Sequence, residues 1–464
     1  MGQYNAREDT IAAIATPAGV GGLGIVRLSG PRAFAVADRI FAGKHGGKPS
    51  SFAPFTAHYG QVFRQDNAGN IATVDEALCV VMAGPKSYTR EDVVEISCHG
   101  GTMVLRAVLD LAVSNGARLA EPGEFTKRAF LNGRIDLAQA EAVLDIIHSR
   151  SDNFLRVSQN QLKGDLSVEL ENIRECLMAV YVELEARLNF PDDDPPAATA
   201  DPGWPRLDQA RAAIAKLLAS ADQGKLWRDG VTAVLCGRPN VGKSSLLNLL
   251  LRQDRAIVSH VAGTTRDTIE ESIQIDGVLF RLIDTAGLLA GRDSIEEEAV
   301  RRSRAAIAAA DLILFLIDAS EPLTPEDFEL YAAAGARPGL VVLNKCDRGR
   351  PETIRQMTQR AAGKPAVQIS ALTGEGLENL EQRILGLVDQ GTPLAAGEVL
   401  VTNLRHVASL RQAQEALEAV QQNLSPEFVA EQIKTAVNAL DNVTGRSVDA
   451  DLVEAIFTKF CVGK

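Results

Sequence analysis

Long apolar runs are missing from this chain: no window of its 464 residues approaches eighteen uninterrupted apolar positions, so no membrane-spanning helix is expected. The start, Met1 to Asp9, has neither a basic segment ahead of an apolar core nor an Arg- and Ser-rich amphipathic character, which argues against export or organelle targeting. Cysteine is sparse and scattered. Cys79, Cys98, Cys176, Cys236, Cys346 and Cys461 form no C-x-x-C pair, so a zinc knuckle is excluded and a reduced, cytoplasmic chain is expected. Positive charge is also short, with 48 Lys and Arg against 60 Asp and Glu and a net charge of −12. That balance speaks against a broadly basic nucleic-acid coat, although a local patch could still steer a polyanion. Internal repeats, low-complexity tracts, a G-x-G-x-x-G dinucleotide fingerprint and a metal-ligand cluster are all lacking.

What is present is concentrated near the middle. Gly237-Arg238-Pro239-Asn240-Val241-Gly242-Lys243-Ser244 fits the phosphate-binding pattern G-x-x-x-x-G-K-[ST]. The apolar, β-branched run Val231–Leu235 before it reads as a buried strand, and Ser245–Leu251 after it reads as the opening of a helix. In that setting successive backbone N–H groups and the helix N-terminus face a phosphate. Lys243 can then reach the β- and γ-phosphates, and the Ser244 hydroxyl can ligate Mg²⁺.

Further signatures follow in order, each at an expected strand end. Asp284-Thr285-Ala286-Gly287 offers an Asp toward Mg²⁺ and a Gly N–H toward the γ-phosphate. Asn344-Lys345-Cys346-Asp347 offers a carboxylate that can accept from the N1–H and amino group of guanine, a pair of donors adenine lacks. Ser370-Ala371-Leu372 would present backbone donors to the guanine O6. Gly263-Thr264-Thr265-Arg266-Asp267 lies where a mobile segment can close a Thr hydroxyl onto Mg²⁺. Together these imply binding and hydrolysis of GTP. The residue after Asp284–Gly287 is Leu288, which can neither donate nor accept, so a Ras-like Gln mechanism for positioning water is ruled out. Glu296, Glu297 and Glu298 follow; they read locally as the acidic first turn of a helix.

The length fits roughly three domains at about 150 residues each. Residues 1–130 mix strand-like runs (Thr10–Thr16, Gly24–Leu28, Ala77–Met82, Val93–Ser97) with a helical pattern over Thr102–Ser114, an α+β domain. Residues 131–228 read as helical, with Leu162, Leu166, Leu170, Ile173, Leu177, Val180, Leu184 and Leu188 forming one apolar stripe. A Pro- and Asp-rich linker is expected from Pro191 to Pro205, then a helix over Leu207–Ala221. Residues 229–388 alternate strand and helix as a doubly wound nucleotide-binding domain does, with a hairpin turn at Asp276-Gly277. Residues 389–464 are helical again. The fold class is therefore a multidomain α+β chain, with an α/β phosphate-loop GTPase domain inserted into a helical bundle whose two flanks complete each other.

The flanks carry a resemblance. Asp9-Thr10-Ile11-Ala12 through Gly30, Tyr88–Gly101, Pro122–Glu141 and the final Cys461-Val462-Gly463-Lys464 resemble the bacterial tRNA-modification GTPase family MnmE (TrmE) over essentially the full length. The resemblance implies an N-terminal domain that dimerises and is similar to folate-binding one-carbon proteins. Its folate contacts fall on Arg27, Glu95, Arg134 and Lys464; the family often has Lys at position 134, where Arg offers a different hydrogen-bond fork. It implies K⁺ held by Asn240, Ser259, Val261 and Thr264, Mg²⁺ held by Ser244 and Thr265, and a water-positioning carboxylate at Glu296. The nucleotide contacts implied are Asn240 to Ser245, Ser259 to Thr265 (with His260, Ala262 and Gly263), Asp284 to Gly287, Asn344, Lys345, Asp347 and Ser370 to Leu372. Named singly, the phosphate-loop members are Asn240, Val241, Gly242, Lys243, Ser244 and Ser245. Cys461 falls near the folate pocket and is the second candidate for catalysis, though no local base accompanies it.

By the same resemblance the cofactors are GTP, Mg²⁺, K⁺ and 5-formyl- or 5,10-methylene-tetrahydrofolate. The partners are a second copy of the chain, the FAD- and NADH-dependent MnmG in a heterotetramer, and tRNA. The expected outcome is a carboxymethylaminomethyl or aminomethyl group at C5 of the wobble uridine, U34, of certain tRNAs. The competing expectation is a ribosome-assembly or translation switch that shares the nucleotide motifs but modifies nothing.

Overall fold

Strand alternation and turn residues organise the first part of the chain into a seven-stranded sheet. Its strands are β1 (Ile11–Ile14), β2 (Gly24–Ser29), β3 (Phe41–Gly43), β4 (Ala57–Gln65), β5 (Ile71–Met82), β6 (Val93–Cys98) and β7 (Arg118–Leu119), in the order β3-β4-β5-β6-β2-β1-β7. All pairings are antiparallel except β1 with β7. Val26, Leu28, Val81, Val94 and Ile96 are buried in one core with Val36, Leu105 and Val108 of the helices Ala33–Ala37 and Thr102–Ser114. Ile11, Ala13, Ala120 and Phe125 form a small core of their own with Tyr88.

This computed structural model describes residues 9–65, 68–189, 203–253, 270–284, 306–335, 337–361, 363–388, 399–421 and 424–464. It divides into two units: Met1–Ile147, Ser158–Ala215 and Ala408–Lys464 form one, His148–Val157 and Lys216–Val407 the other. In the first unit the two helical flanks pack on each other. Arg174 Nε donates to Asp441 Oδ1 at 2.8 Å, joining the helices Asp165–Asn189 and Pro426–Thr444, and Arg211 Nη2 donates to the carbonyls of Leu417 and Val420.

The expected apolar stripe is real but interrupted. Gly164, at φ +98, ends the helix Asp152–Lys163, and a second helix carries Leu166, Leu170, Ile173, Leu177, Val180 and Leu184 into the core. Leu162 thus belongs to the shorter helix. The Pro- and Asp-rich stretch falls largely on 190–202, outside the described residues, while Pro205 lies in the first turn of the helix Trp204–Ala219 rather than in a linker. A separate helix, Ala221–Asp229, then leads into the second sheet.

That sheet has the order β13-β12-β11-β8-β10-β9, built from β8 (Val231–Cys236), β9 (Glu270–Ile275), β10 (Val278–Asp284), β11 (Leu312–Asp318), β12 (Gly339–Asn344) and β13 (Ala366–Gln368). Only β9 runs antiparallel, joined to β10 through Asp276 (φ +48) and Gly277 (φ +79), two left-handed residues that match the twist of a tight hairpin. The parallel strands are buried on both faces. Val231, Ala233, Leu235, Leu314 and Val342 pack toward Leu246, Leu250 and Leu380, while Val234, Cys236, Phe315 and Val341 pack toward Met357. Near-continuous apolar strands are what two-sided burial requires.

Candidate functional site

The phosphate loop connects β8 to the helix Lys243–Gln253, so strand, turn and helix follow one another as the motif requires. Two glycines make the turn possible. At Gly237 (φ +149) a Cβ would approach the Leu316 carbonyl oxygen to 2.4 Å, and at Gly242 (φ +98) it would meet Asn344 Nδ2 at 2.2 Å. Lys243 is buried and its ammonium donates to the carbonyls of Gly237 (2.7 Å) and Arg238 (2.8 Å). Burial pulls its pKa below the usual lysine value, and the Asp284 carboxylate opposes that shift. Ser244 Oγ donates to Asp284 Oδ2 at 3.3 Å, so the hydroxyl and the carboxylate expected beside Mg²⁺ are neighbours. A hard cation takes oxygen ligands of this kind, and the pair fits Mg²⁺.

Asn344, at the end of β12, is buried and makes two opposed contacts. Its Nδ2 donates to the Val241 carbonyl at 2.8 Å, and its Oδ1 accepts from the Ala371 N–H at 3.0 Å. It therefore staples the phosphate loop to the segment Ser370–Leu372. The Ala371 amide, expected as a donor toward guanine, donates to Asn344 Oδ1. Ser370 is buried, its N–H donating to the Glu375 carbonyl, while Leu372 is 80% exposed. Lys345 (φ +62) donates to the Asn240 carbonyl at 3.0 Å and to Asp318 Oδ2 at 2.5 Å. Asp347 stands in the following turn, Cys346–Arg348, 3.6 Å from Arg348 Nε. Val241 is a buried member of the loop, and Ser244 and Ser245 are exposed at the start of the helix.

Arg238, Asp318 and Asp327 carry no site expectation from the sequence. Arg238 Nε donates to Asp327 Oδ1 at 2.7 Å, and Asp318 Oδ1 accepts from both Ser320 N and Ser320 Oγ. Asp327 has a local signature, the Thr324-Pro325-Glu326-Asp327 capping box, but nothing in that signature names its partner. The expected positions Ser259, His260, Val261, Ala262, Gly263, Thr264, Thr265, Thr285, Ala286, Gly287 and Glu296 lie outside the described residues.

A second constellation lies in the other unit. Arg27 on β2 stands opposite Glu95 on β6 by sheet register, and Arg27 Nε donates to Glu95 Oε1 at 2.7 Å. Arg27 Nη1 also donates to the Gly463 carbonyl at 3.2 Å, and its guanidinium lies 5.6 Å from the centre of the Phe125 ring. The last four residues are held by the turn before the helix Glu124–Leu131. Val462 bridges Pro122, Gly123 N–H donates to the Cys461 carbonyl, and Phe125 N–H donates to the Lys464 carbonyl. Gly463 (φ +95) passes so close to β1 that a Cβ would lie 2.4 Å from the Ile14 carbonyl oxygen. Cys461 is exposed at this junction.

Arg134 is exposed, stacked 4.8 Å over the Tyr88 ring and donating to the Tyr88 carbonyl at 3.3 Å. Burial raises the Tyr88 hydroxyl pKa, while Thr126, Arg134 and Arg27 pull it part of the way back. Arg27 and Glu95 thus meet directly, Lys464 is held beside them through Gly463 and the Phe125 N–H, and Arg134 stacks on Tyr88. Phe125 and Tyr88 are the members that sequence reasoning missed; an aromatic inside a motif gives no sign of which cations its ring will meet.

Comparison with known proteins bears on both units. A family model described as MnmE helical domain matches residues 137–461, and one described as GTP-binding protein TrmE N-terminus matches residues 10–134. The tRNA modification GTPase MnmE of Natranaerobius thermophilus is 42% identical over 461 residues, covering 98% of this chain and 100% of that one. The chain belongs to the MnmE family. Its relative from Chloroflexus aurantiacus is 46% identical over 464 residues, again covering 98% of this chain and 100% of the relative. The MnmE likeness is continuous across the inserted sheet, so both constellations lie within it. Among solved structures, a point variant of Aquifex aeolicus Era bound to GDP.AlF4- is 30% identical over 42% of this chain and 69% of that chain, at a TM-score of 0.29.

Proposed function

We propose that this member of the MnmE family hydrolyses GTP in the course of tRNA modification, and that the modified position is C5 of the wobble uridine. The reading is carried by full-length likeness to tRNA modification GTPases together with the docking of Cys461–Lys464 against Arg27. On this reading 1–130 is the folate and dimerisation domain, 131–228 and 389–464 are the two parts of the helical domain, and 229–388 is the GTPase domain.

In the GTPase domain Lys243 leaves the Gly237 and Arg238 carbonyls for the β- and γ-phosphates, and the loop amides cradle the β-phosphate. Ser244 and Thr265 would hold Mg²⁺, which would neutralise developing phosphate charge. Asn240, Ser259, Val261 and Thr264 would hold K⁺, which would supply positive charge where other enzymes use an arginine. Glu296 orients the attacking water, the role Leu288 cannot fill. Asp347 reads guanine.

In the folate domain Glu95 accepts from the amino and ring N–H groups of a pterin, and Arg27, Arg134 and Lys464 meet the anionic glutamate tail. A bound tetrahydrofolate would supply the one-carbon unit. Cys461 stands beside that pocket, and the redox chemistry for which this chain has no fingerprint falls to MnmG. Two copies of the chain and MnmG make up the working assembly.

Equilibrium binding of 5-formyl-tetrahydrofolate tests the pocket. The unaltered chain should bind it, and Arg27→Met should weaken binding by about tenfold, the scale of one lost charged hydrogen bond. Equal affinity in both proteins would remove folate from this site.

A further inference from the structure

Two ion pairs grip the phosphate loop from one stretch of chain. Asp318, 4% exposed at the end of β11, holds the Lys345 ammonium, which in turn donates to the Asn240 carbonyl. Asp327, 1% exposed in the first turn of the helix Pro325–Ala334, holds the Arg238 guanidinium. The gripped residues are demanding ones: Asn240 adopts φ +65, a left-handed conformation uncommon outside glycine, and the Arg238 carbonyl is an acceptor for Lys243. Each carboxylate is itself held. Asp318 accepts from Ser320 N and Oγ, and Asp327 Oδ2 accepts from Thr324 N and Oγ1 in the capping box.

We propose that Asp318 and Asp327 are positioning residues for nucleotide binding, acting as a two-point clamp that presets residues 238–240 of the phosphate loop. Neither carboxylate touches the loop backbone. Each acts through a cation that belongs to a nucleotide motif, Lys345 in one case and Arg238 in the other. A loop held in advance loses less conformational freedom when a ligand arrives, which lowers the dissociation rate. Charged hydrogen bonds from these cations to two buried carboxylates are strong enough to hold the loop positions in place. The pKa directions agree: burial would raise Asp318, yet Lys345 and Ser320 bring it below the usual aspartate value, and Asp327 raises the Arg238 guanidinium.

The clamp rests on this loop being the GTP site, which saturable binding of a fluorescent N-methylanthraniloyl GTP to the unaltered chain tests separately. The clamp itself is tested by the dissociation rate of that probe from Arg238→Met, Asp318→Asn and Thr324→Ala. The first two should release it about tenfold faster, the loss of one charged hydrogen bond. Thr324→Ala weakens the helix cap but leaves the Arg238–Asp327 pair, and should stay within about twofold. Arg238→Lys, which keeps one charged donor, should recover part of the loss. The double variant Arg238→Met/Asp327→Asn should be no faster than Arg238→Met alone, because the partners act as one unit. Unchanged release from Arg238→Met and Asp318→Asn would overturn the proposal. Equal acceleration by Thr324→Ala would also overturn it, since packing of the segment and not its ion pairs would then set the rate. Should Asp318→Asn fail to fold, Arg238→Met, a change to a partly exposed side chain, decides alone.

Discussion

Gly242 and Asn344 leave each other no room to spare. The Asn344 side chain lies where a Cβ on residue 242 would be, because its amide must reach the Val241 carbonyl and its oxygen the Ala371 N–H. Gly242→Ala therefore adds both a clash and left-handed strain, and should weaken GTP binding by about tenfold or more. Asn344→Ala should cost about 1–3 kcal/mol of stability by leaving the buried Val241 carbonyl and the partly buried Ala371 N–H without this partner, read as a lower denaturation midpoint. Normal affinity in the first variant, or an unshifted midpoint in the second, would show that this packing is dispensable. The sequence offers the tetrapeptide Asn344–Asp347 as a reader of guanine. The stapling role of Asn344 is not legible there, because it depends on three loops that meet only after the sheet has formed. Arg238 lay within the motif at a variable position, where residue type alone names no partner. The expectations for 254–269 and 285–305, Glu296 among them, fall outside the described residues.

The helix Glu124–Leu131 is the element on which the second constellation turns. Its approach uses Gly123 at φ +67, where a Cβ would lie 2.6 Å from the Phe457 carbonyl oxygen, and its first turn receives Cys461–Lys464. A charge cluster fixes it. Arg128 donates to the Asp9 carbonyl and to the Asp9, Glu91 and Glu124 carboxylates, and Arg118 pairs with Asp9 and Glu124. Burial pushes Asp9 and Glu124 upward, but their hydrogen bonds to Arg118 and Arg128 outweigh it, and both titrate below their ordinary 3.8 and 4.5. A carboxylate with a lowered folded pKa stabilises above its unfolded value and loses that contribution as pH falls through the folded one. Stability from the cluster should thus be constant above about pH 5 and decline below about pH 4, more steeply than in Glu124→Gln. Identical pH slopes in chemical denaturation would contradict this. Removing Cys461–Lys464 should leave GTP turnover largely intact while ending tRNA modification; retained modification would take the tail out of the chemistry. At this scale the sequence was informative where periodicity was strong: Thr102–Ser114 is a helix with the expected bounds, and Asp276-Gly277 is the hairpin turn. It was less so for β3, β4 and β7, which are short or half-exposed and take their places from sheet neighbours.

At the scale of the whole molecule, an α/β nucleotide unit is inserted in a chain whose flanks fold with the N-terminal sheet. The insertion was visible as a change of pattern from helical to alternating strand and helix and back. That the C-terminal end meets the N-terminal sheet follows from the resemblance, which puts Lys464 with Arg27 and Glu95, and not from pattern, because contacts such as Pro122 with Val462 join positions far apart in sequence. If K⁺ occupies Asn240, Ser259, Val261 and Thr264 when two GTPase domains meet, turnover should be far higher in K⁺ than in Na⁺ and should rise with protein concentration. Equal rates in the two salts would dismiss the cation. On the proposed function the nucleotide unit serves a tRNA modification and is not a bare switch. The most direct test is nucleoside analysis of tRNA from cells with and without this protein. The C5 substituent of the wobble uridine should disappear in its absence and return with the unaltered chain; unchanged wobble uridine would contradict the account.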